Sequence, residues 1–480
     1  MGKQWGVLRP GMLRPSPPRA LNAEPSTLMT LHFIALGGSI MHSLAIALKQ
    51  QGHTVTGSDD KIYDPAASKL RAQGLLPDAE GWHPARIHAG LDAVILGMHA
   101  FEDNPELAKA RELNLPIYSF PDFIYQQSRH KQRIVIAGSY GKTTTTAMVM
   151  HVLQGVGKQF DYLVGAQVDG FDNPVRLTDE APMIVLEGDE YLASRLDPRP
   201  KFLLYRPHIA VITGISWDHI NVFPNEDVYE EQFANLLHQL EKAANIIYCE
   251  EDARLRALVE TYTDANSQYR HAYATPKYKV RNGQYEVKLE GEQAVVPLMG
   301  RHNMTNLAAA WRVCKQVGVE IEDFFRHMQT FKGASIRLEV QHESEAQVLI
   351  RDYAHAPAKV QASVEAVRER YPKRNLIAVV ELHTFSSLNA SYLPLYHKTL
   401  KKADHRIVYV NPEAVAQKRM PPITHDQLVG AFGAKDLVYV TNPAELTQAI
   451  QQAQGQRDAL LLMSSGNFGG VEMGTLTRNA

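Results

Sequence analysis

Short apolar runs alternate with longer stretches of helical periodicity along most of the chain, which predicts parallel strands joined by crossover helices. The first runs fall at 31–36, 54–58 and 93–97, with a helix over 40–51 between the first two. A second series falls at 133–137, 183–187, 209–213 and 245–249, with an apolar helix beginning at Thr144. A third falls at 348–351, 376–382, 406–410, 437–441 and 459–463, and Pro357 stands where a helix over 358–371 would begin. The fold class expected is α/β: three consecutive domains with mainly parallel sheets over 29–128, 129–338 and 339–480, behind a tail over 1–28. No tandem repeat or low-complexity tract supports a solenoid or a disordered chain.

Composition narrows the function. With 480 residues, the chain has room for about three domains of ordinary size. Its 50 Lys and Arg against 52 Asp and Glu give no general affinity for nucleic acid or a membrane surface, so anionic ligands need local sites. Two cysteines, Cys249 and Cys314, suit a reducing compartment, and no apolar run has the length of a membrane span. The first 28 residues carry Lys3, Arg9, Arg14, Arg19 and several prolines without an apolar h-region, so they do not read as a secretory signal. Met29, just before the first strand, is the expected initiator, and the expected location is the cytoplasm.

The candidate chemistry sits where strands give way to helices. Gly138-Ser-Tyr-Gly-Lys142-Thr143 follows a strand and opens a helix, as a phosphate loop does: glycines let the backbone wrap, Lys142 supplies a cation and Thr143 a hydroxyl for Mg²⁺. Two residues separate its first glycine from Gly141, where the common loop has four. Glu187-Gly-Asp-Glu190 ends one strand and Trp217-Asp-His219 follows the next, so carboxylates and an imidazole could hold Mg²⁺ against phosphate oxygens. Taken alone, Glu187 reads more readily as a solvated carboxylate and His219 as a hydrogen-bonded structural histidine. Gly37-Gly38-Ser39, with Asp59 after the second strand, could take a phosphate and a ribose hydroxyl, or be a glycine turn and a cap. His302, Asn303 and Asn306 could read an adenine edge or cap a helix, and Arg337, Asp352 and His355 put a cation, a carboxylate and an imidazole near the second junction.

The order of these motifs resembles the Mur ligase superfamily from residue 31 to the C-terminal end: G-S-Y-G-K-T-T-T, E-G-D-E-Y, D-H-I-N, G-R-H-N-x-x-N, R-L-E and D-Y-A-H-A-P. Within it the chain looks most like the murein peptide ligase branch, which joins L-alanyl-γ-D-glutamyl-meso-diaminopimelate to UDP-N-acetylmuramate in peptidoglycan recycling. The features are the long Glu187-to-His219 connection with Lys201-Phe202 and Tyr205-x-Pro207, the Gly57-Ser58-Asp59 and Tyr63-x-Pro65 elements, and the Met463-to-Gly470 turn. The resemblance implies an ATP- and Mg²⁺-dependent amide-bond ligase working through an acyl phosphate. Gly138, Ser139, Tyr140, Gly141, Lys142, Thr143 and Thr144 would cradle ATP. Thr143 and Glu187 would hold one Mg²⁺ and His219 a second. His302, Asn303 and Asn306 would lie by the adenine, and Arg337 and Asp352 by the phosphates and ribose. The first block would hold the UDP moiety through Gly37, Gly38, Ser39 and Asp59. The third would bring the amine, with His355, His383, Asn467 and Phe468 near it. Lys142, His219 and His355 are the candidate catalytic residues.

The chain departs from the family pattern at Thr213-Gly214, where Thr-Asn is usual, at Asn221, where an acid is frequent, at Ser139, and at Ala356 after His355. Two other readings stay open: the same chemistry on L-alanine or a folylpolyglutamate-type substrate, and a non-catalytic nucleotide-dependent UDP-sugar-binding protein. A dehydrogenase is disfavoured because no G-x-G-x-x-G stands in the first block. The oligomeric state is left open.

Overall fold

The computed structural model describes residues 28–98, 100–220, 222–264 and 268–478. The tail before Leu28 and the departure at Asn221 lie outside the described residues. The chain divides into two compact units, Met1–Gln127 with Ala193–Pro198, and Ser128–Leu192 with Arg199–Ala480.

The first unit is built on four parallel strands, β1 (Thr30–Ile34), β2 (Thr54–Ser58), β3 (Ala93–Leu96) and β4 (Ile117–Ser119), in the order β2-β1-β3-β4. Nearly continuous apolar strands of this kind suit a sheet covered on both faces. Ile34, Val94, Leu96 and Leu107 are almost fully buried, and Leu196 from the returning segment packs against them. One polar pair interrupts this core: the His32 imidazole lies 3.2 Å from Glu106, which also accepts the His83 N–H at 2.7 Å.

The second unit holds three sheets. Its largest joins β5 (Gln132–Ala137), β6 (Asp161–Leu163), β7 (Val175–Arg176), β8 (Met183–Gly188), β9 (Ile209–Ile212), β10 (Asn245–Cys249) and β11 (Tyr269–Tyr273) in the order β11-β10-β9-β5-β8-β6-β7. Only β7 runs antiparallel to its neighbour. Because β5 lies between β8 and β9, the turns leaving these three strands share one edge, the crevice where open parallel sheets take ligands. A small antiparallel meander follows, β12 (Lys277–Arg281), β13 (Gln284–Leu289) and β14 (Glu292–Val296). The last sheet is β15 (Glu339–Glu343), β16 (Gln347–Asp352), β17 (Asn375–Glu381), β18 (His405–Tyr409), β19 (Val438–Val440) and β20 (Asp458–Met463), ordered β15-β16-β20-β17-β18-β19 with β15 alone antiparallel. Its centre is β20, where Leu460, Leu461 and Leu462 are each buried. Burying a leucine fully contributes about 1.5–3 kcal/mol.

Every apolar run singled out in the sequence forms a strand within a residue or two of its expected bounds. The meander escaped notice because it is a half-exposed surface: Lys277–Arg281 carries three cations in five residues and buries none of them. Among the described residues no helix is long and apolar enough to cross a membrane.

Candidate active site

The phosphate loop leaves β5 and enters the helix Lys142–Gly155. Gly138 has φ +124°, and a Cβ there would lie 2.2 Å from the Thr213 hydroxyl. Gly141 has φ +76°, and its Cβ would lie 2.2 Å from the Asn306 side-chain oxygen. Both positions therefore require glycine for conformation and for space. The unpaired N–H groups of the helix's first turn open toward the loop, an arrangement that favours an anion.

Lys142, Glu187, Asp189 and Glu190 carry the charge at the loop. Lys142 donates to the Gly138 carbonyl at 2.6 Å and to the buried Glu190 carboxylate at 2.5 Å. Burial works against its charge, but Glu190 and Asp189 outweigh it and hold the ammonium protonated above its ordinary value. The Thr143 hydroxyl donates to Glu187 at 2.8 Å, and the other Glu187 oxygen accepts the Gly165 N–H at 2.7 Å. A hydroxyl and a carboxylate side by side at the loop are hard oxygen donors of the kind Mg²⁺ takes, with phosphate and water oxygens completing its shell. Among the described residues no group of three His, Cys, Asp or Glu could hold a metal alone.

His219 belongs to a neighbouring cluster. It has φ +58°, its N–H donates to its neighbour Asp218 at 2.8 Å, and its Nε2 lies 3.3 Å from Glu190. Burial lowers its affinity for a proton, yet Asp218 and Glu190 reverse this and raise its pKa. Asp218 is opposed by Lys359, 3.1 Å away on the helix Pro357–Arg370 that follows β16. Burial would raise the Asp218 pKa, but Lys359 and His219 hold it far below the carboxylate range. His355, just before that helix, is pushed down to about 4, chiefly by burial and then by Lys359. Its Nδ1 lies 2.8 Å from the Tyr353 carbonyl, so the neutral ring donates from Nδ1 and keeps its lone pair on Nε2.

A cavity of about 740 Å³ adjoins the loop, lined among others by Tyr140, Ile215, Cys249, Arg301, His302 and Thr305. The three residues of the adenine expectation separate here. His302 lines the cavity and is kept neutral by burial, with its pKa pushed down to about 4. Asn303 and Asn306 do not line it; Asn303 donates to the Met299 carbonyl at 2.9 Å and accepts from Asn306 at 3.2 Å, while Asn306 braces Gly141. Arg337 and Asp352 also lie off the cavity. The Arg337 guanidinium is 4.5 Å from the Tyr353 ring centre, and Asp352 is buried, accepting from Ser363 and from the Leu338 N–H at 3.3 Å.

Tyr140 accounts for one departure from the family pattern. Its ring fills the space beside Gly214, where a Cβ would come within 2.3 Å of the phenol oxygen. An asparagine at 214 and a tyrosine at 140 cannot occupy that volume together.

In the first unit, Asp59 accepts the Gly37 N–H at 2.6 Å and the Asp60 N–H at 2.9 Å. The carboxylate is thus folded into the glycine turn rather than held open. Gly38 precedes the helix Ser39–Gln50, whose first residue, Ser39, is exposed. Arg86, absent from the sequence expectations, reaches the Ser58 hydroxyl at 2.8 Å beside this turn.

At the C-terminal edge of the last sheet, His355, His383 and Asn467 follow the adjacent strands β16, β17 and β20. His383 is 3.8 Å from the buried Glu381, and Asn467 is exposed. Phe468 departs from its expected role: it is 1 % exposed, packs beside Tyr409 in the core and contributes only a backbone N–H, to Glu381 at 2.9 Å.

Sequence comparison places three family domains in order: the Mur ligase family catalytic domain on residues 30–132, the Mur ligase middle domain on 136–314 and the Mur ligase glutamate ligase domain on 336–466. The UDP-N-acetylmuramate–L-alanine ligase of Lactiplantibacillus plantarum is 32% identical over 78% of this chain and 83% of its own length. A murein peptide ligase from Psychrobacter arcticus shares the fold, with a TM-score of 0.63 and 22% identity over 93% of this chain and 98% of that one. A UDP-N-acetylmuramate:L-alanyl-gamma-D-glutamyl-meso-diaminopimelate ligase from Neisseria meningitides aligns with a TM-score of 0.56 and 27% identity, covering 64% of this chain and 99% of that one.

Proposed function

From the premise that the chain belongs to the Mur ligase family, whose members are ATP-dependent amide-bond ligases, we propose that it joins the carboxylate of UDP-N-acetylmuramate to the α-amine of L-Ala-γ-D-Glu-meso-diaminopimelate. The observation that carries this choice of amine is the connection between Glu187 and His219. It is long, its Lys201 turns back to pair with Asp189 at 2.6 Å, and Glu190 is thereby set beneath both Lys142 and His219. That Lys-Phe and Tyr-x-Pro connection is the feature by which the sequence resembles the recycling branch. The L-alanine reading is favoured by the relative from Lactiplantibacillus plantarum and remains the second reading.

A muramoyl carboxylate oxygen attacks the γ-phosphorus of ATP, the bond to the β-phosphate oxygen breaks, and ADP leaves. Lys142 and the loop N–H groups stabilise charge on the transferred phosphoryl group. Thr143 and Glu187 would hold Mg²⁺, which when bound neutralises phosphate charge. The peptide amine then attacks the carbonyl carbon of the acyl phosphate, the tetrahedral intermediate expels inorganic phosphate, and an amide forms. The amine must shed a proton in this step; the free Nε2 of neutral His355 accepts it. His383 and Asn467 lie on the same sheet edge, where they serve the amine substrate. The glycine turn of the first unit, Gly37 to Ser39, holds the UDP moiety, and the reaction takes place in the cytoplasm.

The test is phosphate release from ATP, Mg²⁺ and UDP-N-acetylmuramate with no amine, with L-alanine or with the tripeptide, followed by the mass of the product. Release stimulated by the tripeptide with its mass gained supports the recycling ligase. Stimulation by L-alanine instead moves the enzyme to the biosynthetic branch. UDP-sugar binding with silence from every amine supports the non-catalytic reading.

A further inference from the structure

Glu190 is given no step in the proposed reaction, yet it is the most completely buried carboxylate at the site, with no exposed surface. One oxygen takes the Lys142 ammonium at 2.5 Å; the other lies 3.3 Å from Nε2 of His219. Its chain neighbour Asp189 is turned away to Lys201, and Tyr191 sets its ring edge against the His219 imidazole at 5.4 Å. The segment 189–191 thus spreads its side chains so that, of the three, Glu190 is the one that touches both Lys142 and His219, the groups expected to handle phosphate and metal. Burying a carboxylate costs several kcal/mol even when it is paired, and an apolar residue would serve packing as well.

We propose that Glu190 is a positioning residue that ties Lys142 and His219 into one unit and fixes the imidazole tautomer. Glu190 Oε1 stands at ion-pair distance from Nε2 without a hydrogen bond of good geometry, and beside a buried oxygen that can only accept, a proton on Nε2 is favoured over a lone pair, which leaves the lone pair on Nδ1. An imidazole that serves as a metal ligand needs its proton on the nitrogen away from the metal, and a carboxylate behind it enforces this and raises its basicity. The inference rests on the family reading insofar as His219 is a ligand, but the tautomer holds without it. The same carboxylate keeps the Lys142 ammonium close to the loop before nucleotide arrives.

Glu190→Gln discriminates between this role and that of a simple counter-ion. The introduced amide keeps the shape, and it can satisfy both neighbours only with its C=O toward Lys142 and its NH₂ toward Nε2. The imidazole proton must then move to Nδ1. The first readout is the ¹⁵N spectrum of the histidine-labelled full chain without nucleotide or metal, above the imidazole's titration, with His219 assigned by the loss of its signals in His219→Gln. The expected result is an Nε2–H tautomer in the parent and Nδ1–H in Glu190→Gln. The second is Mn²⁺ binding in the presence of a non-hydrolysable ATP analogue. The weaker of two Mn²⁺ sites should lose about ten-fold or more in affinity in the variant, while the tighter changes little. Glu190→Asp, which keeps the acceptor but shortens its reach, should retain the parent tautomer with intermediate Mn²⁺ affinity, and it stands in if the amide variant does not fold. An Nε2–H tautomer and unchanged Mn²⁺ affinity in Glu190→Gln, or Nδ1–H in Glu190→Asp, would overturn the proposal and leave Glu190 as the counter-ion of Lys142. Neither readout depends on which amine is ligated, so failure here is separable from failure of the substrate assignment.

Discussion

His219 and His355 face the same pair, Asp218 and Lys359, and their pKa values are shifted in opposite directions. His219 gains more from Asp218 and Glu190 than burial costs it, whereas for His355 burial dominates, Lys359 adds to it, and the ring is held neutral. Environments that push two titratable groups apart are a way of assigning acid and base roles. For His355 the sign is definite. Its pKa falls from 6.5 to about 4 on folding, so between these values the unfolded chain binds a proton that the folded chain refuses. Stability from this group is lost as pH falls through that window, by about 2 kcal/mol between about pH 7 and about pH 5. Denaturant titrations at the two pH values should show a smaller loss in His355→Leu than in the parent. The same variant should lose about 10²- to 10⁴-fold in amide formation while still releasing phosphate without amine. For Lys142→Ala, ligation should fall below detection in the coupled phosphate assay, and near-normal turnover would remove the phosphate-loop reading altogether. At position 214, Gly214→Ala should weaken binding of an ATP analogue about ten-fold or more, since its Cβ meets the Tyr140 ring; adding Tyr140→Ser should restore much of it, by the logic of a double-mutant cycle.

Two elements without proposed catalytic residues of their own shape the cavity beside the phosphate loop. The meander Lys277–Val296 and the helix Pro357–Arg370 are joined by Glu369, whose two oxygens accept the Tyr278 and Tyr285 hydroxyls at 2.9 Å each. Removing the carboxylate strands two phenols, one of them fully buried, at a cost of about 1–3 kcal/mol for each unsatisfied group. Glu369→Ala should therefore speed amide exchange across 277–296 and weaken ATP-analogue binding, with the β5 and β8 amides unaffected. None of this link was legible in the sequence. The parallel strands were, because a sheet covered on both faces writes itself as runs such as Leu460-Leu461-Leu462. The phosphate loop was, because Gly138 and Gly141 are places where no side chain fits. The meander alternates charge and aromatic on a half-exposed face and leaves no such imprint, and Glu369 looks like any polar residue on a helix. Asn303 and Asn306 were noticed for chemistry, and the structure sets them on each other and against Gly141, since a motif records that a residue is required and not whether a ligand or a glycine requires it. Asp218, Glu190 and Arg86 depend on partners 141, 48 and 28 positions away in sequence, beyond what local pattern can carry.

At the scale of the whole molecule, the proposed reaction asks two sheets of one compact unit to deliver two steps in sequence, the second of which must beat water to the acyl phosphate. The most direct electrostatic tie between their strand ends is the Lys359–Asp218 pair, with Tyr392 beside Trp217 and the Ile220 N–H on Ser386 adding to it. Asp218 is 3 % exposed, while Lys359 keeps 27 % of its side chain in solvent, so the pair is half screened and contributes less than a fully buried one. Its position matters more than its energy. It spans from the turn bearing His219 to the helix that begins beside His355, and so in the proposed reaction sets the activating side against the side that receives the amine. Lys359→Met leaves Asp218 short of a cation and should lower the thermal midpoint. It should also raise phosphate release relative to amide product, because the acyl phosphate forms without the proton acceptor held near it. Lys359→Met with Asp218→Asn removes the stranded charge and should recover stability. The ratio of amide to phosphate in this double variant decides the role of the pair. A ratio that stays low in a restored fold assigns coupling to the pair, and one that recovers with stability reduces it to a structural bridge.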